Sequence, residues 1–149
     1  MAETLILDST LREGEQATLV HFSFEQALQI ARFIDEAGVD FIEVCPIVGH
    51  KQREIAKKML SENLRATVVL HCRAKKEDIE SLLPLDPTFI AMYLSTSDIH
   101  LASKLHLSRE QALQRAVEMV EFAKSHGLKL RFTCEDASRT AREYLLEMV

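Results

Sequence analysis

The segment Asp8-Ser-Thr-Leu-Arg-Glu-Gly-Glu-Gln16 concentrates more chemistry than any other stretch of the chain, setting a guanidinium (Arg12) directly before a carboxylate (Glu13) just after a short apolar run. A guanidinium can stabilise an enolate or oxyanion as it forms, and a hard carboxylate oxygen can ligate a divalent metal. A solvated loop holding a chance ion pair has the same spacing, and both readings stay open on spacing alone. Two further stretches carry polar groups where a strand should be apolar. In Val69-Leu-His-Cys-Arg73, the side chains of Val69, His71 and Arg73 share one pleat face and Leu70 and Cys72 the other. In Leu130–Glu135, Arg131, Thr133 and Glu135 oppose Leu130, Phe132 and Cys134. Strands of a buried parallel sheet are normally apolar on both faces, so a face bearing Arg, Thr and Glu needs a site to look into. Arg131 and His71 are then candidate carboxylate-binding groups, since a fork of guanidinium donors matches a carboxylate. Against that stand a structural ion pair of Arg131 with Glu135 or Glu43, and a hydrogen-bonded core histidine at position 71.

The elements that must position these groups alternate in type. Short runs rich in Val, Ile and Phe at 4–8, 39–45, 65–72, 88–94 and 128–134 read as strands. Amphipathic stretches at 24–37, 51–62, 75–83 and 108–126 read as helices, with a fifth beginning near 140. This order predicts a parallel sheet with helices packed over it, and the loops following the strands then gather on one rim. Ser23-Phe-Glu-Gln26 and Ser108-Arg-Glu-Gln111 are capping boxes that fix two helix starts. Apolar stripes of Ala27, Ile30, Ala31, Ile34 and Ala37, and of Leu113, Ala116, Val117, Val120 and Ala123, should face the sheet. Gly38 and Gly127 supply the left-handed residue that ends each of these helices.

With 149 residues, 47% of them hydrophobic and 28% charged, the chain is of the size of one globular domain. A net charge of −5 and no basic stripe argue against a nucleic-acid partner. The opening Met1–Asp8 has neither a basic start nor an apolar run long enough for a leader or membrane helix, which predicts a cytoplasmic protein without a membrane partner. Cys45, Cys72 and Cys134 are odd in number and widely spaced, so free thiols are expected and a cysteine zinc site is not.

Five segments carry a resemblance: Asp8–Gln16, Gly38-Val-Asp-Phe-Ile-Glu-Val44, His71-Cys-Arg73, Ser95-Thr-Ser-Asp-Ile-His-Leu101 with Lys104-Leu105, and Glu135-Asp-Ala-Ser-Arg139. In this order the sequence resembles homocitrate synthases and their relatives, the isopropylmalate and citramalate synthases of the DRE-TIM metallolyase superfamily. The resemblance implies an α/β fold of (β/α)8 TIM-barrel type. Because a full barrel takes about 250 residues, residues 1–149 would form a partial catalytic domain of about the first five βα units, without the C-terminal half. The implied reaction is a Claisen-type condensation of acetyl-CoA with a 2-oxo acid bound to a divalent metal (Mg, Mn or Zn).

Carried over residue by residue, the resemblance makes Glu13 a metal ligand and Arg12 the catalytic group that stabilises charge on the oxo acid and enolate. It sets Gln16 beside the metal, His71, Arg131 and Thr133 on the distal carboxylate, and Glu43 and Glu135 along the pocket, with Glu135 also catalytic. His71 in its His-Cys-Arg setting favours 2-oxoglutarate, and so homocitrate, although the Ser95–His100 stretch also resembles isopropylmalate-type relatives. Ala91 stands where many lysine-pathway homocitrate synthases carry an acid, so lysine feedback is not expected. The six histidines include no His-x-His pair to complete the metal site. The expected partner is therefore a complementary C-terminal half-barrel chain or a second copy in a homo-oligomer. The alternatives are a half-barrel acting as a binding, regulatory or assembly module, and a lyase of the same superfamily.

Overall fold

The computed structural model describes residues 4–149, so Met1–Glu3, the start of the segment read as leader-free, lie outside the described residues. Five strands, β1 (Leu7–Asp8), β2 (Phe41–Val44), β3 (Thr67–Arg73), β4 (Phe89–Ser95) and β5 (Lys129–Glu135), pair in chain order and all in parallel. Between and after them run helices α1 (Thr10–Glu13), α2 (Phe24–Glu36), α3 (His50–Ser61), α4 (Lys76–Leu82), α5 (Asp98–His100), α6 (Arg109–Ser125) and α7 (Arg142–Met148). Consecutive strands are always neighbours, the winding of a barrel; a doubly wound sheet would reverse its order at a switch point.

The sheet is curled into a half-barrel. Arg131 on β5 reaches Glu43 on β2 at 2.7 Å, across three inter-strand steps that would set the backbones about 14 Å apart in a flat sheet. Its convex face carries Ile42, Leu70, Cys72, Ile90 and Met92, all completely buried beneath the helices. On the concave side the rings of Phe41 and Phe89 meet edge-on at 5.4 Å and, with buried Val69, close the floor. Among the described residues, no helix is long and apolar enough to cross a membrane.

Apart from β1, element boundaries fall within two residues of those read from periodicity. The first strand is shorter than 4–8, because Leu5 and Ile6 lie outside it, more than half exposed. Ile6 is nevertheless tied to the sheet, its N–H donating to the Asp40 carboxylate at 2.7 Å. Both helix stripes are also rotated. In α2 the buried residues are Ala27, Leu28, Ala31 and Asp35, while Ala37 is exposed. Asp35 turns inward because its carboxylate accepts the buried Ala66 N–H at 2.7 Å, a bond that periodicity of apolar residues cannot reveal. In α6, Ala112 takes the inner position and Val117 is 47% exposed. Alanine-rich inner faces let both helices sit close against the strands.

Both capping boxes form as expected. The Gln111 N–H donates to Ser108 Oγ at 3.2 Å, and the Ser108 N–H to Gln111 Oε1 at 2.8 Å. Ser108→Ala should therefore lower the unfolding free energy by about 1 kcal/mol, and Ser108→Gly by less. Urea denaturation followed by far-ultraviolet circular dichroism measures both, and equal losses would mean that the hydroxyl acceptor contributes little. Gly38 (φ +84°) and Gly127 (φ +75°) occupy the left-handed region after α2 and α6.

Candidate active site

The loop after β1 is not irregular, as a solvated loop would be; it winds into the single turn α1. Asp8 at the strand end starts the turn, its carboxylate accepting the Thr10 N–H at 2.8 Å and the Thr10 hydroxyl at 3.3 Å. Ser9 then offers its carbonyl to the N–H groups of Arg12 (3.0 Å) and Glu13 (2.7 Å). Leu11 is buried and pins the turn to the core, so Arg12 and Glu13 project over the strand ends on the concave side.

Beneath them lies Glu43, a carboxylate with no exposed surface. Arg12 Nε donates to its Oε2, while Arg131 Nη2 (2.7 Å) and His71 Nδ1 (3.2 Å) converge on Oε1. A carboxylate can only accept, so His71 Nδ1 carries the proton of that bond. Burial alone would raise the Glu43 pKa; the hydrogen bonds from His71 and Arg12, with the Arg12 charge, overcome it and hold the group at about 2. Strand register explains the convergence. His71 and Arg131 both face Ala91 across β3–β4 and β4–β5, and the small Ala91 side chain leaves room for them to meet over β4. Arg12 also pairs with Glu13, whose side chain is half exposed.

One layer higher, Tyr93 stacks on His71 with ring centroids 4.8 Å apart, and Thr133 is its neighbour on β5. Cys45 faces the same space; burial pushes its thiol up to about 11, which favours the protonated form. At the rim, Glu135 accepts from the Ser95 hydroxyl and from Lys104 Nζ at 2.7 Å. Burial would raise the Glu135 pKa, but the Lys104 and Ser95 contacts lower it overall, which keeps the group an anion. Tyr93, His71, Thr133, Cys45 and Glu135 line, with the Arg12 turn and Arg131, a cavity of about 650 Å³.

Of the residues singled out in the sequence, Arg12, Glu13, Gln16, His71, Arg131, Thr133 and Glu135 all line this one cavity. Glu43 lies beneath the lining, spoken for by Arg12, His71 and Arg131. The ion pair weighed for Arg131 thus exists, with Glu43 as the partner, yet its Nε–H is a buried donor with no partner among the described residues. Arg73 does not join the cavity; its guanidinium turns to Asp78 with two 2.7 Å bonds. Tyr93, Cys45 and Lys104 were not assigned roles from the sequence. The first lay in the run 88–94, read only as a strand, although two-residue alternation from Ala91 sets it on the face shared by His71 and Arg131.

A divalent metal was expected at Glu13. Its carboxylate is a suitable hard donor, but among the described residues no three His, Cys, Asp or Glu side chains gather closely enough to hold an ion. The side chains described here therefore do not make up a metal site by themselves.

Comparison with known proteins bears on the family and the fold. The HMGL-like family model matches residues 3–149. A probable 2-isopropylmalate synthase of Methanopyrus kandleri is 43% identical over 144 residues, covering 96% of this chain and 29% of that protein. The homocitrate synthase AksA of Methanothermobacter thermautotrophicus is 41% identical over 96% of this chain and 37% of its own length. The homocitrate synthase of Sulfolobus acidocaldarius is 42% identical over 97% of this chain and 32% of its own. The chain thus spans about a third of the length of these relatives. In fold it is similar to the HMG-CoA lyase of Bacillus subtilis, with a TM-score of 0.76 at 15% identity over 99% of this chain and 53% of that one. Parallel strands wound in barrel order, an Arg-Glu pair over their ends, and family-wide similarity across nearly every residue lead to one conclusion: the chain belongs to the HMGL-like family and corresponds to the N-terminal portion of a DRE-TIM barrel.

Proposed function

We propose that this chain forms the 2-oxo-acid half of the site of a Claisen-type condensation with acetyl-CoA, the acid being 2-oxoglutarate and the product homocitrate. The observation that carries the reading is the convergence of Arg12, His71 and Arg131, from three separate elements, at one end of a single cavity. In this reading the distal carboxylate of the acid meets the unused donors of Arg131, including its partnerless Nε–H, with His71 and Thr133 beside it. The oxo end then lies toward Arg12, Glu13 and Gln16. Glu135, an anion beside Lys104, accepts a proton from the acetyl methyl group. The electron pair so released forms the new carbon–carbon bond to the oxo carbon, and the carbonyl pair moves onto the oxygen that Arg12 faces, which then takes a proton; water hydrolyses the resulting thioester, giving homocitrate and the free CoA thiol. Glu43 acts through its three partners, fixing where their donors point. Relatives named homocitrate synthase and 2-isopropylmalate synthase support a condensing activity. The remaining metal donors belong, in this reading, to a complementary half-barrel or a second copy meeting the edge of β5 that has no neighbouring strand among the described residues.

A second reading, a carboxylate-binding module without turnover, is favoured by the incomplete set of metal donors. Release of free CoA thiol separates the two, measured with acetyl-CoA, 2-oxoglutarate and Mg or Mn, alone and with a chain supplying the other half. Release that Glu13→Ala abolishes supports the enzyme; silence in both arms supports the module. The substrate assignment has its own test in calorimetric titration. Arg131→Met should weaken 2-oxoglutarate binding about tenfold, the loss expected for one charge-assisted contact, and leave the apolar acid 2-oxoisovalerate nearly unaffected. Equal losses for both acids would remove the case for a distal carboxylate at Arg131.

A further inference from the structure

The bond between His71 and Glu43 decides what the other side of the His71 ring can offer. Glu43 can only accept, so the proton of their 3.2 Å contact sits on Nδ1. A neutral imidazole has a single N–H, which leaves Nε2 with a lone pair. Nε2 has no hydrogen-bond partner among the described residues, and the ring lines the cavity with 13% of its side chain exposed, so bulk water reaches it little. Across the same space Arg131 also faces Ala91, and its Nε–H is without a partner among the described residues. A ligand carboxylate set between the two would meet a donor on Arg131 but a lone pair on His71, acceptor against acceptor. That conflict disappears once Nε2 takes a proton, because both nitrogens of an imidazolium donate.

Charge acts in the same direction. Around the ring stand Glu43 from β2, Arg12 from α1 and Arg131 from β5, with Glu13 offsetting Arg12 on its outer side. Arg73, next on the same face of β3, has turned away to Asp78. These two guanidiniums and two carboxylates balance, so a cationic His71 adds an uncompensated charge until a further carboxylate arrives. From β4 the Tyr93 ring stacks on the imidazole at 4.8 Å and 12°, fixing its plane and offering a π face to the cation. Burial raises both Tyr93 and the Cys45 thiol, the latter to about 11, so neither supplies a proton change near neutrality. Glu15 and Glu135 are held as anions by Lys51 and Lys104. His21, exposed ahead of α2, is the other histidine lining the cavity and serves as the control below.

We propose that His71 is a specificity-determining residue that takes up a solvent proton at Nε2 together with the ligand, so that the site recognises a dicarboxylic 2-oxo acid by its distal carboxylate and one accompanying proton. The ligand class rests on the condensation reading; the coupling rests on the tautomer that Glu43 imposes. The ligand raises the proton affinity of the ring, so its own affinity is full at low pH and is lost as pH rises. The loss is up to about tenfold per pH unit, following the shrinking fraction of protein that carries the proton.

The test is calorimetric titration of the full chain with 2-oxoglutarate and with 2-oxoisovalerate between pH 6 and pH 9, in paired buffers of different ionisation enthalpy, which count the protons taken up. For 2-oxoglutarate the count should climb towards one on the alkaline side while affinity falls; for 2-oxoisovalerate it should stay at zero. His71→Gln keeps a donor near the place of Nε2 but has no titrating proton, so binding should persist without uptake and without this pH dependence. His21→Gln should match the unsubstituted protein. By nuclear magnetic resonance the His71 ring signal, identified by its absence from His71→Gln, should titrate at higher pH with 2-oxoglutarate present than without it. Binding of 2-oxoglutarate with no proton uptake, uptake that survives in His71→Gln, or a His71 titration that the ligand does not move overturns the coupling and leaves the condensation reading in place. Failure of 2-oxoglutarate to bind at any pH removes both.

Discussion

Replacing Glu43 with alanine should lower the unfolding free energy by about 3 kcal/mol, the lower end of the cost of removing one partner from a buried ionic cluster. Glu43 is wholly buried, but the two guanidiniums around it are not equally so: the Arg12 side chain is 17% exposed and that of Arg131 is 39% exposed. Arg131 can recover some hydration once its partner is gone, whereas Arg12 is held by the α1 turn and recovers little beyond its pair with Glu13. Like charges then face each other across the floor of the cavity, so binding of 2-oxoglutarate should fail together with stability, because no group remains to aim the donors. Glu43→Gln isolates the charge, since the amide keeps the volume and one acceptor while bringing two donors toward Arg12 and Arg131. It should cost nearly as much as alanine. Urea unfolding of the three proteins decides the matter, and a loss below about 1 kcal/mol in both variants would show that the cluster relaxes into solvent.

The legible part of this molecule was the part governed by local rules. Helix starts at Ser23 and Ser108 follow from side chains that bond their own backbone, and the polar face of Arg131, Thr133 and Glu135 follows from the two-residue repeat of a strand. The partner of Arg131 could not be read in the same way. Whether it meets Glu43, three strands away, or Glu135 on its own strand depends on how tightly the sheet curls, a property of the whole assembly of strands and the helices behind them. The inward turn of Asp35 was hidden for a related reason, because it answers to a backbone N–H thirty-one residues ahead in the chain. Lys104, quoted within a matching segment, was given no role because it lies in Leu101–Leu105, whose winding is wider than an α-helix, and 3.6-residue periodicity assigns such a turn no inner face. The Arg12–Glu13 pair was visible as chemistry but not as structure. Its residues look like a loop until Asp8 is seen to hold the Thr10 N–H and start the turn.

The buried carboxylate that organises the site should also set the acid limb of the stability curve. Glu43 has an ordinary value of 4.5 in the unfolded chain and about 2 in the folded one, because the bonds from His71 and Arg12 outweigh the cost of burial. A depressed folded value means that the unfolded state binds more protons as pH falls. The contribution is complete above the unfolded value, declines as pH drops below it, and is gone once pH passes through the folded value. The size of the shift makes this about 3 kcal/mol. Stability of the unsubstituted protein should therefore fall steeply from pH near 5 toward pH near 2, with smaller shares from Glu15, tied to Lys51, and Glu135, tied to Lys104. In Glu43→Gln the first of these contributions is absent at every pH. The gap between the two proteins, measured by urea unfolding in a series of buffers, should be widest above pH 5 and close as the acid limit is approached. Parallel curves would mean that Glu43 keeps its proton balance on unfolding, and the convergence of Arg12, His71 and Arg131 would then need a different anchor.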